Sequence, residues 1–159
     1  MAVNFDQFDI RLLRALQHDG GLSQRRLAEQ VGLSANACWH RLQNLKKQGV
    51  IIGQTVRLER RRLDLGLVVF VMVRTRHHSA EWLARFRAHV SGIAEVIDFF
   101  RIGGEYDYLL KVVTRDMASY DDVYQRLIAG VELDSVTSYF AMEAIEEQRP
   151  LPIAASARA

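Results

Sequence analysis

Asn36, His40, Gln43, Asn44 and Lys47 recur every three or four residues, so at ~100° per residue one face of a helix would collect them, with Arg41 at its border. Amide, imidazole, guanidinium and ammonium groups are the donors and acceptors that base edges and phosphates require. A solvated face on an ordinary bundle helix would have the same composition, so the elements around it must decide. The opposite flank gathers Cys38, Leu42 and Leu45, which makes Cys38 a core residue rather than a redox or metal-binding one. Trp39 falls between the two flanks and reads as a partly buried wedge against neighbouring helices more than as a base-stacking group. Other chemistry is sparse. The five histidines, His18, His40, His77, His78 and His89, show no nucleophile–base spacing, and the chain has no glycine-rich phosphate loop. Adjacent His77 and His78 lack a further Cys/His cluster and read as solvent-facing rather than as metal ligands. Neither a metal nor a cofactor is expected.

Three short helices would position that face. Asp6 caps a first helix to about His18, with Phe8, Leu12, Leu13 and Leu16 on one side, and Asp19-Gly20-Gly21 stops it. Ser23 caps a second to about Gln30, with Leu27 and Val31 inward and small Ala28 where helices come close. Gly32 and Leu33 make a tight turn, Ser34 caps the third, and Gly49 ends it. Two helices joined by a short glycine-containing turn are a helix-turn-helix. The DNA-contacting set expected from it is Gln24, Arg25, Ser34, Asn36, Ala37, His40, Arg41 and Lys47, meeting double-stranded DNA.

Charge supports this division. Over the 159 residues the net charge is +2, but residues 1–64 hold eleven Lys/Arg against six Asp/Glu, while the remainder holds ten against thirteen. A basic first part on an acidic second part suits a polyanionic partner for the first. A composition 49% hydrophobic and 25% charged is that of a globular protein. No apolar run approaches the ~20 residues of a membrane span, and the opening MAVNFDQFDI has neither the basic nor the apolar region of a secretory signal. With one cysteine and no intrachain disulfide, a cytoplasmic bacterial protein without a membrane partner is expected.

From Leu67 the pattern changes to period two. LVVFVMVRT reads as a strand, Ser79 opens a helix with Trp82, Phe86 and Val90 inward, and Val96 to Arg101 and Asp107 to Val113 read as strands around Gly103-Gly104. Asp116 caps a helix bearing Met117, Tyr120, Tyr124 and Leu127, and a last strand runs from about Ser135 to Ala144. The order βαββαβ is ferredoxin-like. In the first strand Leu67, Val69, Val71 and Val73 take one face while Val68, Phe70 and Met72 take the other, so both are apolar. Two helices cover one side of a four-stranded sheet; a second copy of the chain is the simplest cover for the other. An obligate homodimer, presenting two recognition helices to a two-fold site, is therefore expected.

The run LSQRRLAEQVGLSANACWHRLQNLKKQGVI resembles the DNA-binding domain of the Lrp/AsnC, or feast/famine, transcription regulators, with Ala35 where many relatives carry proline after the capping serine. GGEYDYLLKV resembles the family's effector-domain signature, so the likeness covers nearly the whole chain. It implies a short strand after Gly49, with Arg57, Arg60, Arg61 and Arg62 in a basic linker. It implies a small amino-acid effector beside Gly103, Gly104, Glu105, Tyr106, Asp107 and Tyr108, with Thr137, Ser138 and Met142 on the last-strand side, and dimers assembling to an octamer. Asp107 could hold an ammonium group there or satisfy nearby backbone amides instead. HHSAEW, GEYDYL and SVTSYFAMEAI resemble the family's cysteine-responsive subgroup, which points to L-cysteine or another small amino acid.

The resulting fold class is α+β: a three-helix, winged-helix-like helix-turn-helix domain over 1–52, a strand and basic linker over 53–65, a ferredoxin-like effector and oligomerisation domain over 66–148, and a flexible tail over 149–159. Competing functions are an enzyme on the same architecture, of the sirohaem decarboxylase type, and a low-specificity architectural DNA-binding protein.

Overall fold

The computed structural model describes residues 4–154. It contains two compact units: one runs to Arg57 and takes up the chain again at Glu146, and the other is Leu58–Ile145.

The first unit holds α1 (Gln7–His18), α2 (Gln24–Val31) and α3 (Ala35–Lys47). Their starts follow from local hydrogen-bond chemistry. The first backbone N–H groups of a helix have no partner in the helix, and Asp6, Ser23 and Ser34 each accept one, from Asp9, Arg26 and Ala37. At α1 the cap is reciprocal. Asp9 N donates to Asp6 Oδ1 at 2.9 Å, and Asp6 N donates to Asp9 Oδ2 at 3.3 Å. The turn between α2 and α3 needs Gly32, whose φ of 80° lies in the left-handed region; this lets Leu33 N reach back to Ala28 O at 2.9 Å. Leu12, Leu27, Ala28, Val31, Cys38 and Leu45 fill the core between the helices. Phe8 does not join them. It stays exposed under the Arg11 and Arg41 guanidiniums, and Ile10 is the residue buried on that turn.

The strand implied after Gly49 does not form. Residues 51–59 have no strand pairing, and Arg60–Leu63 make a 3-10 turn capped by Glu59. A strand exists only by pairing, and among the described residues no strand lies alongside to complete the ladder.

The last described residues, expected as a flexible tail, are tied to α1. Pro150 and Pro152 restrict the segment to extended backbone and lack N–H groups. The donor left between them, Leu151 N, meets Gln17 Oε1 at 2.6 Å, and Gln17 Nε2 donates back to Leu151 O at 3.3 Å. Arg14 Nη2 donates to Ile153 O at 2.7 Å, and the Ile153 side chain packs on the helical core. Ending the chain at Arg149 should therefore destabilise this unit by about 1–3 kcal/mol, for two or three lost hydrogen-bond ties and part of one isoleucine. Urea unfolding read on the first unit tests this; an unchanged midpoint would mean that the tie contributes nothing.

The second unit is β1 (Leu67–Arg74), α4 (Ala80–Ser91), β2 (Val96–Arg101), β3 (Tyr108–Thr114), α5 (Met117–Ile128) and β4 (Ser135–Phe140). Its sheet has the order β2-β3-β1-β4 and every neighbouring pair is antiparallel, which is the ferredoxin-like arrangement. Val69, Val71 and Val73 are fully buried on one sheet face with Phe86, Leu110, Val112, Val123 and Leu127. On the other face Phe70 sits between Lys111 and Tyr139, and Met72 between Leu109 and Thr137. Phe70, Phe100 and Tyr139 remain exposed there.

Candidate functional site

α3 presents Asn36, Trp39, His40, Gln43, Asn44, Lys46 and Lys47 to the outside, while Cys38 and Leu45 anchor it to the core. Among the described residues Asn36, Gln43, Lys46 and Lys47 make no hydrogen bond or ion pair, so their polar heads are available to a partner. Asn44 is engaged, accepting from Gln48 Nε2 at 3.1 Å. Ser34 is exposed but its hydroxyl is the N-cap, accepting from Ala37 N at 3.2 Å, and Ala37 is only half-exposed. At the start of α2, Gln24 Nε2 donates to Ala35 O at 3.2 Å and Arg25 pairs with Glu29 at 3.0 Å. Both are exposed, Gln24 beside the first turn of α3. Trp39 is less covered than a wedge between helices would be: it is 43% exposed, with its ring edge-on to His40 at 4.8 Å. Burial pushes the Cys38 thiol above its ordinary value, so it stays protonated and inert in the core.

Arg41 does not stand with the open residues. Its Nη1 lies 2.7 Å from Asp6 Oδ2 and 2.8 Å from Asp9 Oδ1, and its guanidinium sits over the Phe8 ring at 5.4 Å. The cap bond from Asp9 N, and then the guanidinium, hold the Asp6 carboxyl below its usual range. Of the linker arginines, Arg57 donates to Glu147 O at 3.4 Å and Arg60 to Gly66 O at 2.8 Å, whereas Arg61 and Arg62 are exposed.

In the second unit the glycine–acidic–aromatic loop comes together only in part. Gly103, Gly104 and Glu105 are exposed, and Gly104 has a φ of 126°, a conformation side chains disfavour, with open space where a Cβ would lie. Tyr106 Oη reaches Thr137 Oγ1 at 3.4 Å, so loop and last strand do meet. Tyr139, which the resemblance did not supply, has its phenol pKa raised by the neighbouring Tyr106. It was legible as the residue two after Thr137, on the same face of a strand. Three expected members point elsewhere. Tyr108 is core, its ring packed tilted or edge-on among Trp82, Phe86 and Phe99. Ser138 faces the helices and bonds the Tyr120 hydroxyl, because neighbouring strand residues take opposite faces. Met142 lies beyond β4, fully exposed. Asp107 takes the backbone role: its Oδ2 accepts from Thr75 N at 2.8 Å. His78 Nδ1 lies 3.9 Å from Asp107 Oδ1 and His77 Nε2 3.2 Å from Glu132, both on the outside of the protein.

The chain matches the family model of the winged helix-turn-helix DNA-binding domain over residues 5–52 and that of the Lrp/AsnC ligand binding domain over residues 68–151. The DNA-binding transcriptional activator DecR of Escherichia coli strain K12 is 46% identical over 149 residues, which span 93% of this chain and 98% of DecR. The chain belongs to the Lrp/AsnC family. Another similar member is the glutamate uptake regulatory protein of Zymomonas mobilis, 40% identical over 96% of this chain and 93% of its own. Among solved Lrp/AsnC structures, the AsnC family transcriptional regulator of Agrobacterium tumefaciens superposes with a TM-score of 0.89 at 44% identity, over 93% of this chain and 97% of that one. A Neisseria meningitidis transcriptional regulator solved with L-methionine superposes with a TM-score of 0.88 at 31% identity, over 94% of this chain and 97% of that one. Lrp/AsnC membership makes this chain a relative of DNA-binding transcriptional regulators, with a DNA-binding and a ligand-binding half.

Proposed function

We propose that the protein is a sequence-specific transcriptional regulator whose DNA affinity is set by a small amino acid. What carries the reading is α3: a helix anchored by Cys38 and Leu45, capped by Ser34, with a row of unengaged amide and ammonium groups outward. Asn36, His40 and Gln43 would meet base edges. Lys47, Gln24, Arg25 and the first turn of α3 at Ser34 and Ala37 would meet the phosphate backbone, where a helix N-terminus favours negative charge. Two such helices act together in a homodimer joined through the Phe70 face of the sheet, and further assembly to an octamer is part of the same reading. The protein works in the cytoplasm, where its DNA is.

The effector would bind beside Gly103, Gly104, Glu105 and Tyr106, against Thr137 and Tyr139. Exposed glycine backbone there can approach a carboxylate closely, and Glu105 supplies charge for an ammonium group. The Neisseria relative holds an amino acid, which supports the ligand class. L-Cysteine, from the subgroup resemblance, and L-methionine are the first to try. The response follows linkage: an amino acid that binds one assembly state better shifts the population toward it, and DNA affinity with it.

At a hundredfold excess over its dissociation constant the effector should add about 2.7 kcal/mol of stability, visible as a raised melting temperature in a screen of the twenty amino acids. Tyr106→Phe with Thr137→Val should remove most of that rise while leaving the unliganded melt in place. A full rise in the double variant would move the effector to another site.

A further inference from the structure

We propose that Arg41 is a positioning residue that sets the rotation of the DNA-reading helix, and that it makes no DNA contact of its own. The inference rests on the reading of α3 as the recognition helix. Each of two carboxylates at the start of α1, Asp6 at its cap and Asp9 in its first turn, is divided between two tasks. Asp6 gives Oδ1 to the Asp9 backbone N–H and Oδ2 to Arg41; Asp9 gives Oδ2 to the Asp6 backbone N–H and Oδ1 to Arg41. The cap that starts α1 and the side chain that fixes α3 are therefore one closed assembly. Phe8, left out of the core, is explained by it: its ring lies under the same guanidinium at 5.4 Å. The Arg41 side chain is 31% exposed and Asp9 only 18%, with Asp6 at the rim at 50%, so the guanidinium is set against the protein and not projected from it. Arg41 also lies one turn from buried Cys38 and Leu45, on the inner border of the helix. Fixing that border fixes the direction in which Asn36, His40 and Gln43 point.

Charge and geometry then make opposite forecasts. Removing carboxylates from a DNA-binding surface should by charge alone tighten DNA binding, and removing an arginine that touches phosphate should lower the slope of log K against log salt by about 0.9. A positioning role reverses the first and abolishes the second. The full-length protein is titrated onto a duplex carrying its selected site and onto a scrambled duplex, across a salt series, with Arg41→Ala, Arg41→Lys and the pair Asp6→Asn with Asp9→Asn. Asparagine caps helices about as well as aspartate, so the paired variant keeps α1 and tests the idea even if Arg41→Ala folds poorly.

We expect all three variants to lose affinity for the selected site by about tenfold, the scale of one misread base pair. Binding to the scrambled duplex and the salt slope should hold at parent values, or the former rise slightly in the Asn pair. A slope reduced by about 0.9 in Arg41→Ala would make Arg41 a phosphate ligand, and tighter binding of the selected site by the Asn pair would show that the carboxylates hold the arginine back from DNA. Either result overturns the proposal. Parent protein that prefers neither duplex would overturn the DNA-binding reading instead, and this inference with it.

Discussion

A Phe70→Glu protein should sediment as a monomer and lose about a hundredfold or more of its affinity for a duplex with two half-sites, while its far-ultraviolet spectrum stays that of the parent. The substitution separates the sheet from the interface because of where Phe70 lies. It is at the centre of β1, on the face away from the helices, directly opposite Lys111 in the ladder. Within one chain a glutamate there meets an opposite charge across the strands, a pairing that sheets accept. At a two-fold interface the same carboxylate, and its copy from the second chain, would be taken out of water together, at a cost of several kcal/mol each. Phe100 and Tyr139, exposed on the same face, would be left uncovered. DNA affinity follows, since two linked recognition helices gain an effective concentration that single ones lack. A Phe70→Glu protein that still sediments as a dimer would place the interface elsewhere.

Phe86→Ala should cost the second unit about 3–5 kcal/mol, enough to consume much of an ordinary domain's stability. Phe86 is wholly buried, and its ring meets Trp82 at 5.0 Å, Tyr108 at 5.2 Å and Phe99 at 5.4 Å. Deleting it removes transfer energy and aromatic contacts together, and leaves a void between α4 and the sheet that rings held on three sides cannot close. Urea unfolding followed at Trp82 reads the loss directly. A cost under about 1 kcal/mol would show that the cluster repacks freely.

What could be read in the sequence was local. Asp6, Ser23 and Ser34 announce helix starts because a cap and its target lie within three residues. Gly32 announces the turn because only glycine takes its backbone conformation without strain. The two apolar faces of β1 follow from period two. The parts that local reading does not reach are those decided by residues far apart in the chain. Arg41 belongs on the polar border by its angle alone, and only folding brings Asp9, thirty-two positions earlier, to its guanidinium. Ile153 and Leu151 look like tail until α1 supplies Arg14 and Gln17. Residues 51–59 carry β-prone types but find no strand to pair with among the described residues. Thr137 and Ser138 are a different case. Strand alternation alone separates their faces, Thr137 opposite Met72 and Ser138 opposite Val71, whatever the family motif implies. Tyr108 likewise alternates with partly buried neighbours and goes to the core.

The most direct test of a site-selective regulator is selection from a random duplex pool at physiological salt, with and without the amino acid that raises the melting temperature. The expected product is a sequence of two half-sites related by a dyad and spaced by a whole number of helical turns, bound about a thousandfold or more tighter than the unselected pool. Its affinity should shift when the amino acid is added. A pool that emerges unenriched, bound no better than at the start, would contradict sequence-specific regulation.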